Sequence, residues 1–369
     1  MTSDPLIPGG GTVRCTITTK FNVPHLAAAW ESLWARANGQ YHESFSVCLR
    51  AWDAIARAKN EELFCVQFWD GECLVLAWPL IRYRKGPLWM MRPLTPSGGE
   101  ANSLLVDPQR SVNQLVSCAY KAVLAEARCD LLYLPLIRMS SPLYVLLADC
   151  VPEGRDVAPL ARISQEPDWD TYSRAIGVGS WQQTERKRRR ILQMNGAEFL
   201  WIDPKEEAEL IPRLIDWMLL EKERWAIRVG KKHTWAGSAP YRDFLVSSVL
   251  DPDEIMSYRL AAIMVGDQPL AVKLIAICPG HVEYVIGAYS SDPAHAKLSP
   301  GLVLDEYWMR RVFDLKLDVD FGTGQEAYKL FWSRKNVEEL RTYRIPLSLR
   351  GKLFLSTYKW FQRLRTDQD

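Results

Sequence analysis

The chain has 369 residues, 48% hydrophobic and 24% charged, with a net charge of +2. That length exceeds what one hydrophobic core organises, so two domains are expected, and the balanced charge singles out no partner and gives no reason to expect a nucleic acid. No run is apolar and long enough to span a bilayer, and the Pro- and Gly-rich first eleven residues lack the pattern of a secretory signal, which points to a cytoplasmic protein.

The eight Cys, at 15, 48, 65, 73, 118, 129, 150 and 278, show no CxxC pair and no Cys/His group with zinc-ligand spacing. Reduced thiols and no metal are therefore expected. The fifteen Trp read as large core and interface residues, or as the lining of a groove for a flat or sugar-like ligand.

In chain order, residues 1–18 are expected to be flexible. Residues 26–37 and 44–58 carry apolar positions three and four apart and predict helices. Residues 63–69 and 72–80 flank Asp70-Gly71, a hairpin signal. A short strand at 104–107, a helix at 112–127 and a buried strand at 131–135 follow. The Pro-rich and acidic stretch 151–170 predicts a domain boundary near residue 165.

Beyond it, Ser180 and Gln183 predict a capped helix that ends at Gly196. Residues 204–229 predict a long helix that Pro212 kinks. Residues 258–265 and 269–277 flank a second hairpin turn at Gly266-Asp267. A strand at 281–289, a helix at 302–313 and a strand at 317–321 complete the pattern. Each half thus reads as helices, a strand meander, a helix and a further strand, an α/β plan with antiparallel strands.

The connection into the 302–313 helix ends Ser299-Pro300-Gly301. Ser299 suits the N-cap and Pro300 the first helical position, and Gly301 leaves room for a ligand beside free N–H groups. This is an anion site or simply a well-capped helix, with Asp305 and Glu306 expected in its first turn. The next motif runs from Asp320 to Trp332. Its carboxylate, phenol and ammonium at a strand end could orient and deprotonate an amine, or could be a turn with a solvated face.

These motifs, Tyr284-Val285-Ile286-Gly287-Ala288-Tyr289, Leu298-Ser299-Pro300-Gly301 and Asp320-Phe321-Gly322-Thr323-Gly324-Gln325-Glu326-Ala327-Tyr328-Lys329 with Trp332, resemble the cellulose-biosynthesis-type (BioF2-like) acetyltransferases. Those are proteins of the GNAT fold related to the FemABX transferases. The resemblance covers about residues 20–340 and implies tandem GNAT-like lobes with a groove between them.

The expected layout is an N-terminal lobe at 19–165, a C-terminal acyltransferase lobe at 166–345 and a basic tail at 346–369. The family implies acetyl-CoA, or another acyl-CoA, as donor. Its pyrophosphate is expected at Lys297, Ser299 and Gly301. Glu326 is implied as base, Tyr328 as acid to the leaving thiolate and Lys329 as holder of an acceptor anion. The chain departs from the family pattern at Ala296 and Ser299 in the donor loop and at Gln325, where the family carries Asp.

Two further groups are expected to bind anions or substrate: Arg186, Arg189 and Arg190, which share one helix side, and Trp332. The arginines read equally as a solvated face or as a clamp for phosphate, including a cyclic dinucleotide. The stretch from Arg341 to Arg365 holds seven Lys or Arg and no acid, interleaved with aromatics. It packs on the second lobe, lies on an anionic membrane or binds a regulatory anionic ligand.

The family association points to an amino-sugar or polysaccharide precursor, as in exopolysaccharide synthesis. An aminoacyl transferase of the FemABX type is the second reading, and a non-catalytic module that binds a cyclic dinucleotide or docks a membrane complex is the third. The absence of a GxSxG elbow, of GxGxxG and of a P-loop excludes α/β-hydrolase, Rossmann and P-loop readings.

Overall fold

The computed structural model describes residues 13–21, 25–230 and 235–366, with side chains described throughout these except at 178–181 and 359–366. The expectation for residues 1–12 lies outside the described residues. In the first half β1 is Val13–Thr18, α1 Leu26–Arg36, α2 Phe45–Arg50, β2 Glu62–Asp70, β3 Cys73–Lys85, β4 Leu88–Pro93, β5 Leu105–Val106, α3 Val112–Glu126 and β6 Leu131–Arg138. Then come β7 Gly154–Ala161, α4 Trp169–Ile176, α5 Val178–Leu192, β8 Ala197–Ile202, α6 Leu210–Arg228, α7 Ala239–Leu250, β9 Ser257–Val265, β10 Gln268–Ile277 and β11 His281–Tyr289. The chain continues through α8 Pro300–Phe313, β12 Asp318–Asp320, α9 Ala327–Trp332, β13 Val337–Pro346 and α10 Leu349–Thr366.

Both hairpins form where the sequence placed them, with Gly71 at φ 59° and Gly266 at φ 55° supplying the left-handed turn residue. The strands join in the order β1-β2-β3-β4-β6-β13-β7-β12-β11-β10-β9-β8, with β5 paired to β3. The two halves are therefore tandem α/β lobes sharing one mixed sheet.

The junction is an exchange of strands. β13, the last strand in the sequence, pairs with β6 of the first half, Leu340 opposite Arg138, and on its other side with β7. β7, which precedes the second half, pairs in turn with β12. One face of the sheet is covered jointly by α1 and α2 from the first half and α6 and α7 from the second, around Trp30, Trp34, Met218 and Phe244. On the other face α3 covers the first half and α4, α5 and α8 cover the second.

Several expectations are corrected. Residues 13–18 are not flexible but form β1, registered against β2 from Val13–Asp70 to Thr18–Cys65. Helix α5 begins at Val178 with Gly177 at its N-cap, so Ser180 lies inside the helix rather than capping it. Pro212 causes no kink, because α6 starts at Leu210 and the ring falls in the first turn, where no intrahelical N–H is needed.

The stretch read as a linker contains β7. The start of the presumed amphipathic tail is β13. Asp305 and Glu306 fall in the second turn of α8, 1% and 2% exposed, so they are internal groups rather than dipole-complementing surface charges.

Candidate functional site

The parallel pairing of β11 with β12 covers only His281–Asp318, Val282–Val319 and Glu283–Asp320. Past that point the chain turns away at Gly322, φ 68°, and Gly324, φ 115°, conformations that favour glycine. The β12-facing edge of β11 beyond Glu283 therefore has no strand partner among the described residues. A cavity of about 560 Å³ opens there, walled by Tyr284 and Ile286 of β11, by the turn from Phe321 to Lys329, by Glu100 and Arg138 from the first lobe and by Trp225 of α6.

The turn brings Glu326, Tyr328 and Lys329 to this cavity together. Lys329 is buried, and its Nζ donates to the Thr323 carbonyl at 2.5 Å and pairs with Glu326 Oε2 at 3.1 Å. Partial burial raises the Glu326 carboxyl, but the Lys329 charge, its hydrogen bond and the more distant Lys222 outweigh this and leave it below the usual range. Glu326 is thus a carboxylate at neutral pH.

The Tyr328 phenol is pushed well above its ordinary value, first by burial and then by Tyr284 and Asp305, so it holds its proton. The two rings meet edge to face, their centres 6.1 Å apart. Beneath them lies Lys273, whose Nζ stands 5.2 Å from the Tyr284 ring centre and 4.8 Å from that of Tyr328, and which pairs with buried Asp305. Asp305 also accepts from Trp308 Nε1 at 2.9 Å.

The first lobe contributes a charged floor. Arg138 pairs with Asp320 and, at 2.8 Å, with Glu338. In the orientation that satisfies its amide, Gln40 accepts from Arg138 Nη2 and Nε at 2.8 and 2.9 Å and donates to the Ala101 carbonyl at 2.6 Å. Glu100 accepts from the Ser97 hydroxyl at 2.7 Å, and burial raises its carboxyl. These first-lobe residues were not singled out as site groups by the sequence reading.

The expected donor residues lie at the far end of β11. Ser299 is at the N-cap of α8, but at φ 47° its side chain makes no cap; its hydroxyl accepts from Lys187 Nζ at 2.9 Å instead. Gly301 faces Tyr289, whose Cδ1 would stand 2.9 Å from an added Cβ. Lys297 is exposed in the turn before the helix. Val285 and Tyr289 are four residues apart on an extended strand, about 13 Å.

Four expected binders are not brought to the cavity. Arg186, Arg189 and Arg190 are exposed on the outer side of α5, with Arg189 paired to Glu185. The inner side carries Thr184, Lys187 and Ile191. Trp332 is 1% exposed in the core beside Trp169, and its carbonyl accepts from the Tyr172 hydroxyl. A turn beyond Lys329, its indole points into packing rather than to a ligand.

Residues 181–330 match the family described as the acetyltransferase (GNAT) domain. No curated protein matches the chain in sequence. Among solved structures the chain is similar to FemX, at 11% identity with a TM-score of 0.58, covering 92% of this chain and 99% of that one. It is also similar to a conserved protein of unknown function from Bacteroides thetaiotaomicron, at 10% identity and a TM-score of 0.51, covering 87% and 97% of the two chains. L-PGS from Bacillus licheniformis matches at 10% identity and a TM-score of 0.50, over 90% and 96%. At such identities the likeness establishes the fold. The match over residues 181–330 and the shared fold give the chain a tandem architecture whose second half is similar to a GNAT domain.

Proposed function

We propose that the protein is an N-acyltransferase that moves an acyl group, acetyl foremost, from a coenzyme A thioester to a primary amine on an amino-sugar or polysaccharide precursor. One observation carries the reading: the unpartnered edge of β11 runs from the helix start at Gly301 to the Glu326–Lys329 cavity. An extended donor with amide groups could pair along that edge, its pyrophosphate at Ser299, Gly301 and Lys187 and its thioester at the phenols.

Glu326 then orients the acceptor amine and takes its proton as nitrogen attacks the thioester carbonyl. The C–S bond breaks, and Tyr328 protonates the departing thiolate. Lys329 serves this arrangement by fixing Glu326 as a carboxylate, which replaces its expected role as anion holder. Trp225 and Trp235 in the cavity wall offer flat faces suited to a sugar ring, and Glu100 and Arg138 offer polar anchors.

Acetyl-CoA titrated by calorimetry should bind, and thiol release should be measurable with amino-sugar acceptors. Glu326→Gln should cut turnover by about 10²- to 10⁴-fold with unchanged thermal unfolding. Donor binding with full activity in that variant would remove Glu326 from the mechanism. Transfer from aminoacyl-tRNA without acyl-CoA binding would replace the donor.

Among the described residues no helix is long and apolar enough to cross a membrane. We place the protein in the cytoplasm, with α10 as its contact to an anionic bilayer. Leu355 docks this helix, whereas Leu349 and Leu353 are 78% and 71% exposed beside Arg350 and Lys352. The aromatic and basic side chains after residue 358, part of the expected tail, lie outside the described ones. Pelleting with phosphatidylglycerol vesicles, lost on removing residues 349–369, tests the placement. Stabilisation by a cyclic dinucleotide in a thermal-shift screen would point instead to a regulatory ligand.

A further inference from the structure

The end of the β10–β11 hairpin carries a group of donors that acyl transfer does not use. Cys278, His281 and Glu283 follow one another as C-x-x-H-x-E across the turn at Pro279-Gly280, which Cys278 closes by donating its N–H to the His281 carbonyl at 2.9 Å. Their side-chain donor atoms all lie within 4.8 Å of one another. His281 Nε2 is 2.9 Å and Cys278 Sγ 3.9 Å from Glu283 Oε1. Zinc bonds of about 2.0–2.3 Å place neighbouring tetrahedral ligands roughly 3.3–3.8 Å apart, within the span of this trio.

The surroundings carry surplus negative charge. Arg138 is engaged by Asp320 and Glu338. Glu283, held by the Tyr41 N–H at 2.5 Å, and Glu43, which feels the charges of both Glu283 and His281, have no second guanidinium among their described partners. Glu43 is 8% exposed and its Oε1 has no hydrogen-bond partner among the described residues; His281 Nδ1 is likewise buried without one. Burying carboxylates in this way is costly unless a cation compensates them.

We propose that Cys278, His281 and Glu283 bind a divalent metal ion of the zinc type, with a water molecule in the fourth position. The mixed sulfur, nitrogen and oxygen donors favour zinc over magnesium or calcium. Binding makes Cys278 a thiolate and releases its proton, and any carried by His281, to solvent. The ion ties the hairpin end to the Tyr41 segment of the first lobe, and through Glu283 it forms part of the cavity wall.

The test uses the full chain, loaded with zinc chloride, desalted and assayed by plasma mass spectrometry, as wild type and as Cys278→Ser and His281→Gln. The wild type should retain about one zinc per chain and each variant less than about a tenth, with circular dichroism reporting the fold. A wild-type chain that retains no zinc overturns the proposal, as does stoichiometric zinc that survives in both variants. Should the variants not fold, cobalt(II) loading of the wild type decides. A thiolate-to-cobalt charge-transfer band supports the site, and a spectrum of oxygen and nitrogen ligation alone removes it.

Discussion

Glu326 and Lys329 sit three positions apart at the start of a short helix, and their 3.1 Å contact helps keep Glu326 a carboxylate. Because the Lys329 charge holds the Glu326 carboxyl down against partial burial, Glu326 should give no acidic limb to a kcat/KM profile across neutral pH. Lys329→Met removes the opposing charge and leaves desolvation, so the carboxyl rises. The variant should then lose activity as pH falls through a range where the wild type is flat. An unchanged profile would separate the two residues.

A second carboxyl, Glu31, accepts from the Phe45 N–H at 2.7 Å and is raised to about 8, first by burial and then by Asp253. Its folded value lies above the unfolded one, so the native state binds the extra proton. That contribution is complete below about pH 4.5 and is lost as pH rises through about 8. Glu31→Gln should therefore narrow the gap in denaturation midpoint between pH 5 and pH 8.5.

Residue types close in sequence were the legible part of the site. Glu326, Tyr328 and Lys329 lie on one turn, so local reading sufficed to group them. The Arg138, Glu100 and Gln40 floor comes from segments some two hundred residues away, which no local pattern connects.

At the level of elements, helical spacing identified a side of α5 but not which way it faced. Arg186, Arg189 and Arg190 do share one side; Thr184 and Ile191, buried on the opposite one, mark the inward direction. Trp332 was similarly ambiguous, since an indole suits a core as well as a sugar. The β10–β11 hairpin was legible from Ile277 to Tyr289, yet the approach of Cys278 to His281 went unseen, because a turn brings together what a scan for paired cysteines separates.

The start of α8 makes its own prediction. An added Cβ at Gly301 would press on Tyr289 Cδ1 at 2.9 Å, and this ring is half exposed and free to give way. Gly301→Ala should thus weaken acetyl-CoA binding by about tenfold while moving the melting temperature little, as calorimetry and thermal unfolding would show.

The whole molecule is organised around the strand exchange. Two repeats of an α/β plan could be read from periodicity and turn signals, but β7 fell in the stretch taken for a domain boundary and the end of β13 in the stretch taken for a basic tail, since each carries few buried apolar residues among its charged ones. Their pairing is tertiary, and Arg138 sits where it occurs, bridging β6, β12 and β13. Arg138→Met leaves Asp320 buried without its cation, while Glu338 keeps its Ser140 hydrogen bonds, and should cost about 3–5 kcal/mol in urea denaturation.

The exchange also bears on how the chain is made. Arg138 meets Glu338 across a separation of 200 residues, and β6 has no partner on that side until β13 has been synthesised. The nascent first lobe therefore leaves the ribosome with an open strand edge beside its charged floor, and closing it waits until β13 has emerged. Premature termination anywhere before β13 would leave that edge unsealed, which makes the first lobe a natural client for chaperones during translation and a poor candidate for expression on its own.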